Sequence, residues 1–125
     1  DPQQFLTAPG QGALAIQERA DETELVELVS RMDQEKTRIM VEAERTVLAA
    51  MHGGCCIPLG VYSQINGGDI TIDAVISDVE SKNYIRRTKT GQVSEAITCA
   101  AELAAELLAA GGQEILDKIR GERKS

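Results

Sequence analysis

The middle of the chain alternates between apolar and polar residues, which is the pattern of β-strands with one buried face. Between residues 69 and 77 every second position is apolar, and residues 57–65 alternate in a similar way. The sequence Asn66-Gly67-Gly68-Asp69 between them is typical of a tight turn, so it predicts a hairpin. A third strand is predicted near residues 83–89, after a polar turn.

Apolar residues at helical spacing predict helices before and after these strands in the sequence. The predicted helices are a short one over residues 22–32, long ones near 34–52 and 94–110, and a last short one near 113–120. The order of elements is typical of an α+β domain, in which a three-stranded antiparallel sheet has helices packed on one face.

The two long helices have predicted ends and buried faces. Asp33 and Ser94 are predicted to cap their N-termini by accepting backbone N–H bonds, and Gly111-Gly112 to end the second one. The predicted buried stripes are Ile39, Ala43, Val47 and Ala50 in the first helix, and Ile97, Ala100, Ala101, Ala104, Leu107 and Leu108 in the second, with Leu103 at the edge.

An arm precedes this domain. Residues 1–12 contain two prolines and two glycines, which predict an irregular connector, and residues 13–19 could form a strand.

Composition narrows the range of partners. The chain has 125 residues, a formal net charge of −7 and 2% aromatic residues. Nucleic-acid-binding domains usually carry a basic patch, so we expect no nucleic-acid partner. No apolar run approaches the ~20 residues that cross a bilayer, and the acidic balance disfavours anionic lipid, so we expect no membrane partner.

The cysteines indicate a reducing environment. Cys55, Cys56 and Cys99 are an odd number, and two of them are adjacent, which is a poor framework for disulfides. We therefore expect a cytoplasmic protein. No metal site is expected either, because there is no Cys-x-x-Cys pair and His52 is the single histidine.

Cys55 is the candidate for chemistry. It follows Gly53-Gly54 at the end of a predicted helix, and Pro58 comes shortly after it. The glycines would let the backbone approach a ligand closely. Such a thiol is either an exposed nucleophile or a half-buried structural cysteine, because a free Cys also packs as a small hydrophobe. The local sequence leaves both interpretations open.

Two segments resemble motifs of the porphobilinogen deaminases (hydroxymethylbilane synthases). Residues 43–60 run from Ala43-Glu44-Arg45 through Gly53-Gly54-Cys55 to Pro58, and are similar to the cofactor-attachment signature of that family, roughly A-E-R followed by G-G-C-x-x-P. Residues 9–16 are similar to its G-Q-G-A-[LV]-G-I segment. Ala15 replaces the usual glycine, His52 a frequent acidic residue, and Cys56 a Gln or Ser. The resemblance extends over nearly the whole chain.

The resemblance implies an enzyme that joins four porphobilinogen molecules with loss of ammonia and releases hydroxymethylbilane, in tetrapyrrole and heme biosynthesis. It implies a dipyrromethane cofactor on Cys55 through a thioether, with Gln11 and Gly12 beside it. A sulfur nucleophile suits the capture of the electrophile that forms when porphobilinogen loses ammonia. The ligands of the intact enzyme would be porphobilinogen and the growing polypyrrole.

The resemblance also implies that the chain is a fragment. In the family the catalytic aspartate and the carboxylate-binding arginines and lysine belong to two upstream domains, so we expect no catalytic residue here. Residues 1–32 would be a connector, strand and helix that dock on those domains, and residues 33–125 the complete C-terminal cofactor-attachment domain. The isolated chain is expected to be inactive and to lack the cofactor.

Several other residues have structural interpretations. Glu44 and Arg45 are predicted to form an ion pair that ties their helix to other segments, and Cys99 to lie in the core. Arg86 and Arg87 alternate along a strand and should point to opposite faces.

Two other classes of protein fit the residues without the resemblance. One is a non-enzymatic α+β binding module whose Gly-Gly-Cys-Cys loop is structural. The other is a thiol redox protein that uses Cys55 and Cys56, which is disfavoured because a disulfide between adjacent cysteines closes a strained eight-membered ring. Thiol titration distinguishes them: one readily alkylated cysteine fits the enzyme, none fits the binding module, and a reversible disulfide fits the redox protein.

Overall fold

The computed structural model describes residues 6, 8–10, 13–15, 17, 19–51, 57–80 and 82–124, with side chains up to residue 121. Its regular elements, in chain order, are α1 (Thr23–Ser30), α2 (Glu35–Ala50), β1 (Leu59–Asn66), β2 (Asp69–Ser77), β3 (Tyr84–Gln92), a 3₁₀ turn (Val93–Glu95), α3 (Ala96–Leu107), a π-type segment (Leu108–Gly112) and α4 (Gln113–Lys124).

The three strands form one antiparallel sheet in the order β1-β2-β3. The hairpin between β1 and β2 closes at the pair Asn66 and Asp69. Gly67 has a φ of 61°, which residues with a Cβ rarely adopt, so a glycine suits this turn. The predicted strands and hairpin are confirmed, with β3 extending to Gln92.

One face of this sheet is buried by two helices. Helix α2 packs on β1 and on α3, and α3 packs on β3 and β2. Every second residue of β2 is fully buried against them, whereas the residues between are half-buried or exposed. The α+β class is therefore confirmed. The largest fully buried side chains are Met51, Ile70, Ile72, Ile76, Leu103, Leu107, Leu116, Val47 and Val61.

The buried face of α2 was predicted correctly, and that of α3 in part: Ala100, Ala104 and Leu107 are fully buried as predicted. Ala43 and Val47 are fully buried, and Met51 continues their stripe. In α3, Leu103 is fully buried rather than at the edge, whereas Ile97 is 48% exposed. Alanines surround both positions, and because alanine is compatible with either a buried or an exposed face, the pattern did not fix the rotation of this helix.

The predicted caps of the long helices are wrong. Helix α2 begins after Gln34, and α3 begins after Glu95, and neither residue makes a side-chain cap. Asp33 instead pairs with Arg38, Oδ2 to Nη1 at 3.2 Å. At the other helix the preceding 3₁₀ turn is held by a backbone bond from Val93 N to Gly68 O, at 2.9 Å. This bond ties the start of α3 to the hairpin turn.

The segment before α2 contributes little to the core. Helix α1 has no buried residue, and Leu28 and Met32 are exposed. The strand suggested at 13–19 is absent at the described residues 13–15, 17 and 19. In the part of the chain that the structure describes, no helix is both long and apolar enough to cross a bilayer. At the other terminus α4 continues to Lys124, beyond the predicted end.

Gly111 makes the break between α3 and α4 possible. Its φ is 122°, and a Cβ built there would lie 2.9 Å from Ile85 Cδ1. The terminal methyl of Ile85 can move, so the backbone strain is the main cost of any side chain at this position. The predicted helix stop at Gly111-Gly112 is therefore confirmed as a change of direction.

We predict that Gly111→Ala lowers the free energy of unfolding by about 1–3 kcal/mol, because alanine is strained at this φ. Gly121→Ala is the matched control: a Cβ there meets nothing within 4 Å, inside a helix. Alanine should stabilise that position by about 0.5–1 kcal/mol. Urea unfolding monitored by circular dichroism measures both changes. Equal effects of the two substitutions would contradict the assigned backbone geometry.

Candidate functional site

Both ends of the segment that carries Cys55 are fixed in the domain. Met51, at the end of α2, is fully buried, and Leu59, at the start of β1, is 7% exposed. The carbonyl of Pro58 accepts a bond of 3.1 Å from Ser77 N, on β2. Residues 52–56 lie outside the described residues, so the geometry of Cys55 itself stays a prediction.

Helix α4 reaches the end of α2, from which this segment starts. Arg120 Nη2 donates to Met51 O at 3.4 Å, across 69 residues of sequence. Leu116 and Ile119, in the same helix, are buried and hold α4 in place. The sequence interpretation missed Arg120, because nothing local relates this arginine to residue 51. The one relevant feature of the sequence is the apolar spacing of Leu116 and Ile119, the buried residues that lie beside Arg120 on the surface of α4.

Gln11 and Gly12 also lie outside the described residues, but Gly10 is described. Gly10 N donates to Glu44 Oε2 at 2.7 Å, so the residue before the Gln11-Gly12 motif is bonded to α2. The φ of Gly10 is 73°, in the region that favours glycine.

Glu44 is the buried polar residue of this region, at 9% exposure. Its Oε1 accepts bonds from Ser63 N at 3.1 Å and Ser63 Oγ at 2.7 Å. The carboxylate therefore receives three donors, which compensate for its removal from water. The predicted ion pair is wrong: Arg45 is exposed, and no ion pair joins it to a described residue. Glu44 does tie its helix to other segments, through N–H and O–H donors.

Two cations of β3, Arg86 and Lys89, are bonded to neighbouring carboxylates. Arg86 donates from Nε to Asp73 Oδ1 at 3.0 Å and forms a second contact with Oδ2, and these hydrogen bonds raise the pKa of its guanidinium. Lys89 Nζ lies 2.7 Å from Glu106 and 3.3 Å from Glu102, and these bonds raise the pKa of its ammonium group.

The two arginines point to opposite faces of the sheet, as predicted: the register pairs Arg86 with Val75 and Arg87 with the buried Ala74. Among the described residues, Arg120 donates to the carbonyl of Met51, the residue that precedes the Cys55 segment.

The chain matches a known family over more than half its length. Residues 38–109 match the family model of the porphobilinogen deaminase C-terminal domain. The chain belongs to the porphobilinogen deaminase family. The matched range begins within α2 and ends just after α3, so it contains the sheet, α3, most of α2 and the position of Cys55.

Curated porphobilinogen deaminases match nearly all of the chain. The protein from Nitratidesulfovibrio vulgaris is 40% identical over 119 residues, which cover 94% of this chain and 38% of that protein. The protein from Nostoc sp. is 38% identical over 117 residues, 94% of this chain and 36% of its own length. The protein from Exiguobacterium sp. is 37% identical over 119 residues, which cover 95% of this chain and 38% of that protein. The chain thus spans less than two-fifths of the relatives it matches.

Cys99 lies in the core of this porphobilinogen deaminase domain, as predicted. It is 4% exposed, and its burial raises the pKa of the thiol. Its sulfur lies 3.4 Å from the position that a Cβ on Gly91 would occupy, so helix and strand are in close contact there. A buried thiol with a raised pKa forms little thiolate, the nucleophilic form of cysteine.

We predict that Cys99 resists iodoacetamide near neutral pH while the protein is folded. Denaturant should make it react fully, because unfolding exposes the thiol and removes the cause of its raised pKa. Peptide mass spectrometry after timed alkylation measures both states, with the denatured sample as the control. Alkylation of Cys99 in the folded protein as fast as that of a small free thiol would contradict its placement in the core.

Proposed function

We propose that this chain is the cofactor-bearing C-terminal part of a porphobilinogen deaminase. The intact enzyme condenses four porphobilinogen molecules into hydroxymethylbilane, with loss of ammonia, in tetrapyrrole and heme biosynthesis. The observation that carries the proposal is the Gly-Gly-Cys-x-x-Pro signature at residues 53–58, between the α2 and β1 of a domain of this family.

In this proposal Cys55 holds the dipyrromethane cofactor through a thioether, and the bound cofactor supplies the primer on which the pyrrole chain is extended. The anchored ends of residues 52–56 support this role, because a tethered group needs a fixed attachment point. Gln11 has amide donors and an acceptor for pyrrole carboxylates and N–H groups, and Gly12 leaves space beside it. A cytoplasmic location is part of the proposal, and a thioether is stable in that reducing environment.

Among the described residues, few cations lie beside the Cys55 segment to bind the carboxylates of the cofactor. Guanidinium groups are the usual partners of such carboxylates. Near the Cys55 segment the described part of the chain offers Arg120, whereas Arg86 and Lys89 are engaged on β3. We therefore assign catalysis and most carboxylate binding to upstream regions of the longer protein, which the relatives' greater length allows.

The same division explains the exposed segment before α2. We propose that residues 1–32 dock on the upstream domains and that residues 33–125 form the cofactor-attachment domain. Leu25 and Leu28 in α1 and Met32 in the turn after it support this: they are apolar yet 38%, 59% and 66% exposed. The family match begins at residue 38, after this segment.

We predict that the 125-residue chain alone neither attaches two pyrrole units nor makes hydroxymethylbilane. Positioning and general acid–base groups contribute ~10²–10⁴-fold or more to such reactions, and the proposal assigns those groups to upstream regions of the longer protein. The purified chain is incubated with porphobilinogen, and its mass and product absorbance are recorded. A stable two-pyrrole adduct, or measurable product, would show that the chain is self-sufficient.

The proposed role of Cys55 is tested in the longer enzyme. Cys55→Ser should abolish hydroxymethylbilane formation, because a serine hydroxyl is a much weaker nucleophile than a thiol. Cys56→Ser is the matched control, one residue away and with the same change of atom, and it should retain activity within about twofold. An active Cys55→Ser enzyme, or an inactive Cys56→Ser enzyme, would contradict the assignment.

A further inference from the structure

Glu44 joins two segments that are far apart in sequence. One oxygen accepts from Gly10, on the N-terminal arm, and the other accepts both donors of Ser63, on β1. The separations are 34 and 19 residues. No turn or local motif brings these groups together, so the carboxylate acts as a bridge in the folded chain.

The bridge lies at the free edge of the sheet. β1 is an outer strand, and in an antiparallel ladder the backbone N–H of alternate residues points away from the neighbouring strand. Ser63 N–H points away from β2, since it donates to Glu44. Glu44 thus satisfies an edge donor that would otherwise be buried without a partner.

A second contact holds the arm at β1. A Cβ built on Gly60 would lie 2.8 Å from Leu6 Cβ, closer than real Cβ contacts allow, and 3.0 Å from Leu6 O, which is also a tight contact. Gly60 pairs with Val75, on the face of the sheet opposite the helices, whereas Gly10 is bonded to α2. The arm therefore crosses the edge of β1 between two fixed points, Leu6 and Gly10.

We propose that Glu44 is a positioning residue that fixes Gly10 and so sets the position from which the chain continues into Gln11-Gly12. This inference rests on the proposed function, because it gives the Gln11-Gly12 motif its place beside the cofactor. Glu44 itself does not touch substrate in this account. It acts through the backbone of the arm.

Glutamate is the side chain that fits this arrangement. Glutamine has nearly the same shape, but it has one acceptor oxygen. If that oxygen accepts from Ser63, the amide NH₂ faces the N–H of Gly10, and two donors cannot bond to each other. Glutamine can serve Ser63 or Gly10 and not both. Aspartate is one methylene shorter, so it cannot span the same gap.

The test compares Glu44→Gln, Ser63→Ala and Glu42→Gln in the longer enzyme. Ser63→Ala removes one O–H donor and leaves the Gly10 bond, and Glu42 is exposed on the same helix. Glu44→Gln should raise hydrogen exchange at Gly10 N–H by more than about tenfold and lower kcat by about 10- to 100-fold, since small misplacements cost that much. Ser63→Ala should lower Tm, yet keep both the Gly10 exchange rate and kcat within about twofold of the unsubstituted enzyme, as should Glu42→Gln.

Gly60→Ala tests the position of the arm at its contact with Leu6 and does not alter Glu44. It should also raise Gly10 exchange and lower kcat, which keeps the proposal testable if Glu44→Gln does not fold. Unchanged Gly10 exchange in Glu44→Gln or Gly60→Ala would overturn the proposal, and so would a loss of kcat in Ser63→Ala equal to that in Glu44→Gln. Lack of product from the unsubstituted enzyme would instead contradict the proposed function, since the exchange at Gly10 reports the bridge by itself.

Discussion

Burial of one face of β2 beneath α2 and α3 is the constraint on which the rest of the structure depends. With so few aromatic residues, the core is built from Ile, Leu, Val, Ala and Met, and the alanines Ala43, Ala100 and Ala104 let helices and sheet approach closely. This packing buries Met51 and Leu59, the residues on either side of the Cys55 segment. The segment that carries Cys55 is thus held by the core at both ends.

The carboxylate of Glu44 adds a polar requirement to this apolar frame. Burying a carboxylate is costly unless donors replace its water, and here two N–H groups and one hydroxyl do so. The donors come from the arm and from the sheet edge, so the bridge forms only when both segments are in place. Apolar packing therefore determines the domain, and one buried polar group determines where the arm crosses it.

Local patterns predicted the elements well, and long-range contacts poorly. The alternation at Ile70, Ile72 and Ile76 is enforced by burial of one sheet face, so strands and hairpin were predicted. The caps at Asp33 and Ser94 were wrong because other bonds hold these helix starts. The bridge at Glu44 and the contact of Arg120 depend on the finished fold, and no spacing in the sequence encodes them. Cys55, Gln11 and Gly12, which lie outside the described residues, stay predictions from the resemblance.

The central claim is that Cys55 is the covalent attachment point of the cofactor. The most direct measurement is the mass of the proteolytic peptide that contains Cys55 and Cys56, taken from the longer enzyme after purification, with fragmentation to locate any added group. We expect two pyrrole units on the sulfur of Cys55, stable to reductant, and an unmodified Cys56. An unmodified Cys55, or a group located on Cys56, would contradict it.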